Sequence, residues 1–257
     1  MLIDTHCHIA FPEYDADREA VIQRALDAGV GEMVIVGTDF SSSQQAIALA
    51  ERYPFLHAAV GLHPHEADRM DQILLDQFAA LSEHPKVVAI GETGLDFYYN
   101  HASQEKQQEA FLLQIALAQK RRLPLVIHSR EAWDETFAIL ETVDPAYLCE
   151  VGAVLHCFTG DKAIVERATA MGLFLSFSGI VTFAKATTIQ EAATAVDARF
   201  LLIETDAPFL APQGYRGKSN EPAYIATTAE KIATLRHCAT QEVADQTTAN
   251  ARRIFRI

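Results

Sequence analysis

The residues best suited to bind a metal ion lie at the start of the chain, in the run Asp4-Thr5-His6-Cys7-His8. If this run is an extended strand, successive side chains alternate between its faces, so Asp4, His6 and His8 share one face. Two imidazoles separated by one residue on a rigid strand can ligate a single metal ion. The pattern also fits an edge strand that carries two histidines by chance, so the interpretation depends on further ligands elsewhere.

At five later places a polar residue closes or follows an apolar run: His63, Glu92, His128, His156 and Asp206. Each lies at the carboxyl end of a different predicted strand, and in a barrel of parallel strands these ends meet on one face. Any one of them alone is better explained as a hydrogen-bonded core or loop residue. Because all of them lie at the same end as His6 and His8, their convergence predicts a metal site.

The predicted ligands divide into two sets, with His6, His8, Glu92 and Asp206 for one ion and His128 and His156 for a second. Glu92 can bridge both ions through its two oxygens, and two ions roughly 3.5–4 Å apart clamp the attacking and leaving oxygens of a hydrolytic displacement. We expect Asp206 to orient the attacking water or accept its proton. This ligand chemistry favours two divalent cations such as Zn²⁺, Mn²⁺ or Mg²⁺ over Ca²⁺, which prefers all-oxygen sites.

Four more residues are predicted to support these ligands or the substrate. Asp4 and Glu204 lie two or four residues from His8 and Asp206 on the same strand faces, where either can accept the spare imidazole N–H of a metal-bound histidine. A buried Glu204 satisfied by backbone groups is an equally good interpretation. His63 and Arg130 are expected on loops just beyond the ligands, where they could hold an anionic group such as phosphate. A surface ion pair is the alternative for Arg130.

The elements that must position these residues alternate along the chain. Eight apolar runs are predicted as strands, at 2–8, 32–38, 56–63, 87–93, 124–128, 152–158, 173–178 and 200–206. Helical periodicity predicts helices at 15–28, 103–121, 220–237 and 240–253. Eight strand–helix units in about 250 residues predict an α/β fold, a single-domain (β/α)₈ TIM barrel over residues 1–257. A doubly wound open sheet is the rival fold, but the Gly-rich phosphate turn typical of it is missing.

Composition narrows the possible functions. The 257 residues carry a formal net charge of −13, which argues against a protein that wraps duplex nucleic acid with a basic surface. The four cysteines form no CxxC pair, so we expect neither a disulfide framework nor a zinc ribbon. The sequence has no apolar run long enough to span a bilayer and no signal peptide, so we expect a cytoplasmic protein without a membrane partner.

Several short motifs resemble the successive signatures of the TatD family: Asp4-Thr5-His6-Cys7-His8, Gly61-Leu62-His63-Pro64, Gly91-Glu92-Thr93-Gly94-Leu95-Asp96, Ile127-His128-Ser129-Arg130, His156-Cys157-Phe158-Thr159-Gly160, Glu204-Thr205-Asp206-Ala207-Pro208 and Gly217-Lys218-Ser219-Asn220-Glu221-Pro222. The resemblance runs from residue 4 to residue 222 in family order. It implies a metal-dependent hydrolase of the amidohydrolase superfamily on a (β/α)₈ barrel, with the six ligands assigned above and His63 near a substrate phosphate. Related branches bridge their ions with a carbamylated lysine, but here the fourth strand offers Glu92.

These observations predict metal-dependent hydrolysis of a phosphoester, most specifically a DNA phosphodiester. The acidic composition favours substrates that enter as ends or short single strands, and no obligate protein partner is evident. Two alternatives stay open. One is a hydrolase of the same superfamily that acts on a C–N or lactone bond, against which the loop at Lys218, Asn220 and Glu221 argues. The other is a metal-loaded scaffold that binds nucleic acid without cutting it, although no ligand is missing.

Overall fold

The eight strands form one parallel sheet in the order in which they occur along the chain, in a computed structural model that describes residues 1–257. They are β1 Leu2–Cys7, β2 Val30–Val36, β3 Leu56–Val60, β4 Val87–Asp96, β5 Leu125–Arg130, β6 Ala153–Leu155, β7 Phe174–Phe177 and β8 Leu201–Ile203. The segment after β8 meets β1, because the N–H of Asp206 donates to the His6 carbonyl at 2.9 Å and the N–H of His8 donates to the Ala207 carbonyl at 2.7 Å. The predicted (β/α)₈ barrel is confirmed.

Ten α-helices surround or close this barrel: α1 Arg18–Asp27, α2 Phe40–Arg52, α3 Gln72–Leu81, α4 Gln104–Arg121, α5 Trp133–Leu140, α6 Pro145–Glu150, α7 Lys162–Ala170, α8 Thr187–Ala195, α9 Ile225–Arg236 and α10 Thr240–Phe255. The predicted α4 is found with Ser103 as its N-cap, which accepts a hydrogen bond from the Lys106 N–H. None of the ten combines the length and apolar character that a membrane crossing requires.

Two helices begin later than the sequence pattern predicts. Pro12–Tyr14 form a separate 3₁₀ turn before α1, and the Arg18 side chain binds the carbonyl oxygens of the loop that precedes the helix, at Ile9, Ala10 and Phe11. The predicted helix 220–237 is a 3₁₀ turn at Pro222–Tyr224 followed by α9. Proline lacks an N–H and disfavours helical geometry in the residue before it, which separates Asn220 and Glu221 from the helix.

Apolar packing occurs in two layers. The larger cluster of 56 buried residues lies between the sheet and the surrounding helices and includes Phe111 of α4 and Phe137 of α5. A smaller cluster of 13 residues includes Ile3, Val34 and Val126, together with Ile254 and Phe255 from the end of α10. The barrel interior is therefore packed at its amino-terminal end, and the polar predicted ligands occupy the opposite, carboxyl-terminal end. All four cysteines are free.

The fourth strand is longer than predicted, with ten residues that end at Asp96 instead of Thr93. Its pairing with β5 shifts register between Ile90 and Thr93 and then continues as Gly94↔His128 and Asp96↔Arg130. Such an irregularity bends a strand and re-aims its side chains. Gly94, at φ +127°, supplies a backbone conformation that other residues rarely adopt. This glycine-containing stretch resembles a turn in sequence, although it is a bent strand that carries Glu92.

Candidate metal centre and active site

The first strand brings two imidazole nitrogens into contact at the mouth of the barrel. His6 Nε2 lies 3.1 Å from His8 Nε2, and both side chains are buried. The His8 Nδ1 lies 2.8 Å from the Val36 carbonyl oxygen, so Nδ1 is the nitrogen that carries the proton. In neutral His8 the lone pair on Nε2 therefore points at His6, as expected for two ligands of one cation.

Glu92 lies at the centre of the predicted ligands and presents a different oxygen to each set. Its Oε1 is 2.9 Å from His156 Nε2 and 3.2 Å from His128 Nδ1. Its Oε2 is 3.5 Å from His6 Nε2 and 3.8 Å from His8 Nε2. Burial opposes ionisation of this carboxyl, but the imidazoles around it outweigh burial and hold the pKa of Glu92 well below its usual range. Glu92 is therefore an ionised carboxylate with the geometry of a bridging ligand.

Two further carboxylates fix the orientation of the histidines on the second side of Glu92. Glu204 Oε1 lies 3.3 Å from His156 Nδ1, and Asp96 Oδ2 lies 3.1 Å from His128 Nε2. Each carboxylate accepts the proton of its ring, which leaves His156 Nε2 and His128 Nδ1 as lone-pair nitrogens that face Glu92. Such support is common for metal-bound histidines. Glu204 Oε1 also accepts the Cys157 N–H at 2.7 Å, so the backbone contact of the alternative interpretation is present as well.

These groups fit a cation better than they fit one another. With the tautomers set by their outer partners, His156 Nε2 and Glu92 Oε1 are both acceptors, yet they lie only 2.9 Å apart. Only a proton or a cation between them relieves this contact. Burial lowers the pKa of His156, but the carboxylates of Glu92 and Glu204 outweigh burial and raise it well above its usual value. Without a cation, a proton on the imidazole is the charge that neutralises these carboxylates. Nitrogen and oxygen donors of this kind suit transition metals.

Asp206 completes the group on the β1 side. Its Oδ1 lies 3.4 Å from His8 Nε2 and 3.7 Å from His6 Nε2, and its side chain keeps 12% of its surface exposed. The residue has φ +57°, a left-handed conformation that aspartate tolerates better than most residues. The structure thus brings together all six predicted ligands. They lie in or shortly after β1, β4, β5, β6 and β8, at the carboxyl-terminal mouth of the barrel.

His63 differs from the predicted ligands because its inward nitrogen is a donor. The His63 Nδ1 accepts a hydrogen bond from the His65 N–H at 3.1 Å, so the proton of the neutral ring is on Nε2. That Nε2 lies 3.2 Å from Glu92 Oε1. Burial lowers the pKa of His63 to about 4, so the ring is neutral near pH 7 and offers one N–H to an anionic oxygen. The substrate role of His63 stays a prediction, because His63, Glu92 and His128 also form a group that could hold a metal ion.

Two of the predicted supporting residues have different contacts from those expected. Asp4 does not accept an imidazole proton, because its two oxygens are bound by the Thr205 N–H at 3.0 Å and the Thr205 hydroxyl at 2.5 Å. The His6 Nδ1 is left buried without a partner. Asp4 thus ties β1 to the segment after β8. Arg130 is the last residue of β5 instead of a loop residue, and its guanidinium lies over the rings of two tyrosines.

Sequence reasoning missed Asp96 and His65 as members of the site. Asp96 Oδ2 accepts hydrogen bonds from both His128 Nε2 and His65 Nε2, the latter at 3.0 Å. Burial raises the pKa of Asp96, but the hydrogen bonds from His128 and the Tyr99 N–H outweigh burial and hold it well below its usual range. A signal was present, because Glu92, Gly94 and Asp96 alternate along one strand and therefore share a face. Because β4 was predicted to end at Thr93, Asp96 was not placed on this strand.

The late loop at Lys218, Asn220 and Glu221 has two kinds of residue. The buried Asn220 donates from Nδ2 to the carbonyls of Thr205 and Phe209, and Glu221 accepts a charged hydrogen bond from Arg24. These two residues hold the loop that follows β8. Lys218 is exposed and forms no ion pair, so it is the member of this loop that is free to meet a substrate.

Comparisons with known proteins show the family to which the chain belongs. The family model described as TatD related DNase matches residues 3–256. A Bacillus subtilis protein named "Uncharacterized metal-dependent hydrolase YabD" is 42% identical over the full length of both chains. A Salmonella typhimurium protein named "3'-5' ssDNA/RNA exonuclease TatD" is 36% identical and covers 100% of this chain and 99% of its own.

The crystal structure of YJJV, a TatD homologue from Escherichia coli, superposes with a TM-score of 0.93 at 32% identity. It covers 100% of this chain and 98% of its own. Sequence, family model and structure therefore agree over the whole length, and the chain belongs to the TatD related DNase family.

Proposed function

We propose that residues 1–257 act as one domain, a metal-dependent phosphodiesterase that cleaves DNA or RNA from single-stranded or frayed ends. The observation that carries this proposal is Glu92, whose two oxygens face two separate sets of imidazole nitrogens. Family membership and the exonuclease name of the Salmonella relative support the choice of nucleic acid as substrate. The formal charge of −13 favours a narrow contact with a strand end over a long contact with a duplex.

The proposed ligands hold two divalent cations, Zn²⁺, Mn²⁺ or Mg²⁺. One set is His6, His8, Glu92 and Asp206, and the other is Glu92, His128 and His156. When bound, two such cations would supply Lewis acidity that lowers the pKa of a water molecule and neutralises charge on phosphate oxygens. Glu204 and Asp96 hold the imidazoles of the second set in the tautomer that keeps a lone pair inward.

The remaining roles belong to residues that can reach the phosphate or the water. Asp206, ionised and partly exposed beside His8, is placed to orient the attacking water and accept its proton. The neutral His63 offers its Nε2–H to a non-bridging phosphoryl oxygen, where negative charge increases in the transition state. Arg130, exposed at the end of β5, lies near enough to pair with an adjacent phosphate.

The comparisons do not favour hydrolysis of a C–N or lactone bond, because the relatives that match over the whole chain are named as metal-dependent hydrolases or nucleic-acid exonucleases. A metal-loaded scaffold that binds nucleic acid without cutting it would use the same inward lone pairs of His128 and His156, so only cleavage itself separates it from an enzyme. One assay separates these alternatives. It compares cleavage of a single-stranded oligonucleotide, an ester, a lactone and a cyclic amide by the same metal-loaded protein.

The test of the proposed function is chelator-sensitive cleavage of end-labelled single-stranded DNA and RNA by purified protein with measured metal content. We expect EDTA to abolish cleavage and added divalent cations to restore it. Glu92→Gln keeps the volume but removes the charge, so we expect kcat/KM to fall at least about 100-fold and metal content to drop. Glu131→Gln, an exposed carboxylate near the same mouth, is the matched control and should retain activity. Metal-loaded protein that cleaves no phosphodiester would refute the proposal.

A further inference from the structure

Two large aromatic rings are exposed just beyond the end of β4, beside the candidate centre. Tyr98 is 57% exposed and Tyr99 is 52% exposed. Their ring centroids lie 4.9 Å apart with the planes at 87°, and the Tyr99 ring also stacks on His101 at 5.7 Å and 23°. Adjacent exposed aromatic surface at the mouth of a polar site is typical of a surface that binds a partner or ligand.

The position of this tyrosine pair is fixed relative to the candidate ligands. The N–H groups of Tyr98 and Tyr99 donate to Asp96 Oδ1 at 3.1 and 2.9 Å. The other oxygen of the same carboxylate accepts the His128 proton. One buried carboxylate therefore connects the backbone of the tyrosine pair to a ligand of the second proposed cation, and a group bound on the rings has a defined distance from the reacting phosphate.

Arg130 adds a positive charge to the same surface. Its guanidinium carbon lies 4.2 Å from the Tyr98 ring centroid and 4.6 Å from that of Tyr99, a cation–π geometry. Strand pairing of Asp96 with Arg130 places it there. Arg130 is exposed and has no carboxylate partner in an ion pair. The rings thus hold the side chain in place without neutralising its charge, which stays available to a phosphate.

We propose that Tyr98 and Tyr99 form a stacking platform for one unpaired nucleobase, with Arg130 binding the phosphate beside that base. This inference rests on the proposed function and specifies which substrates it accepts. A base inside a duplex has both faces covered by its neighbours and cannot lie on a side chain, whereas a base at a single-stranded end can. Stacking accepts every base, so the platform selects for an unpaired end without selecting a sequence.

The platform makes a prediction that a merely structural tyrosine pair does not. Removing the base from the correct nucleotide of the substrate should have the same effect as removing the rings from the protein. In wild type, an oligonucleotide with an abasic nucleotide at one position near the cleaved end should show a KM raised about 10- to 100-fold, with kcat changed less than about threefold. In the double variant Tyr98→Leu/Tyr99→Leu, KM for the intact oligonucleotide should rise at least as far, because Arg130 is released as well, and KM for the abasic oligonucleotide should equal it.

The matched comparison is Tyr98→Phe/Tyr99→Phe, which keeps both rings and should keep the wild-type difference in KM between the intact and abasic oligonucleotides. A Leu variant with the wild-type KM, or one that retains the full penalty for the abasic substrate, would refute the platform. Binding of a fluorescent single-stranded oligonucleotide to the protein in EDTA, where no cleavage is expected, with and without the tyrosines, tests the platform independently of cleavage. A base-dependent and tyrosine-dependent Kd without any cleavage by wild type would refute the proposed function alone. Cleavage with no dependence on the tyrosines would refute the platform alone.

Discussion

Hydrogen bonds on the outer side of four imidazoles decide which ring nitrogen is free to bind a cation. His8, His128 and His156 all give their outer proton to an oxygen, from Val36, Asp96 and Glu204 respectively. His63 is the reverse case, because it accepts a backbone N–H on the outer side and so presents a proton inward. Four histidines at one mouth thus divide into ligands and a donor without any difference in residue type.

The role of Asp96 can be tested with Asp96→Asn, which has nearly the same shape. The amide Oδ1 can still accept the tyrosine N–H groups, but an amide nitrogen facing His128 is a donor and forces the imidazole to move its proton to Nδ1. The nitrogen that faces Glu92 then lacks a lone pair. We expect metal affinity, measured by competition with a chelating dye, to fall about 10- to 100-fold.

The control for this variant is Asp134→Asn, at a carboxylate whose side chain is 94% exposed. It should leave both metal affinity and thermal stability unchanged. The thermal midpoint of Asp96→Asn without metal separates a loss of orientation from general unfolding. An Asp96→Asn protein that folds and binds metal as tightly as wild type would show that Asp96 does not orient His128.

The convergence of the candidate ligands was predictable, because most of them close or follow an apolar run. A barrel of parallel strands brings such positions to one face whatever the details of packing. Their outer partners were not predictable in the same way. Asp4 and Glu204 have similar sequence surroundings, yet only Glu204 reaches an imidazole, while Asp4 binds Thr205 across the closure of the barrel. That difference depends on how the segment after β8 meets β1, which no local pattern records.

At the scale of elements, the bend in β4 positions Glu92, and glycine makes the bend possible. A Cβ built on Gly94 would lie 2.0 Å from the His128 carbonyl oxygen of the neighbouring strand. The close approach of β4 to β5 at this point therefore has no room for any side chain. Both strands were predicted from the sequence, but β4 was predicted to end at Thr93, because glycines within a strand resemble the start of a turn.

Gly94→Ala tests this close approach. Both the positive φ and the clash with backbone act against the substitution, so we expect a loss of about 2–4 kcal/mol in the free energy of unfolding. That corresponds to a thermal midpoint lowered by roughly 5–15 °C. Gly29→Ala is the matched control, because Gly29 also has positive φ but no atom within 4 Å of its added Cβ. An equal effect of the two substitutions would show that strand contact at Gly94 is unimportant.

Charge is unevenly distributed over the whole molecule. Despite the net −13, the loops at 178–186 after β7 and 207–220 after β8 contain no Asp or Glu. They carry three exposed cations without carboxylate partners, Lys185, Arg216 and Lys218. The two loops contact each other, since the Gln213 N–H donates to the Thr182 hydroxyl and Arg216 lies over the Phe183 ring. In an eight-stranded barrel, β8 lies opposite β4, so this basic surface faces the Tyr98–Tyr99 platform across the mouth.

This arrangement would give the acidic protein a local attraction for the proposed single-stranded substrate, because unpaired cations beside the site can neutralise phosphates one at a time. In the triple variant Lys185→Gln/Arg216→Gln/Lys218→Gln, we expect KM for a single-stranded oligonucleotide to rise and the slope of log Kd against log salt to shrink by up to about two units. Hydrolysis of a small phosphodiester should hardly change, since it spans only the metal centre. The control triple Lys120→Gln/Lys231→Gln/Arg256→Gln removes the same charge from the outer helices. Equal salt slopes for the two triples would mean that net charge, rather than the basic loops, governs the encounter.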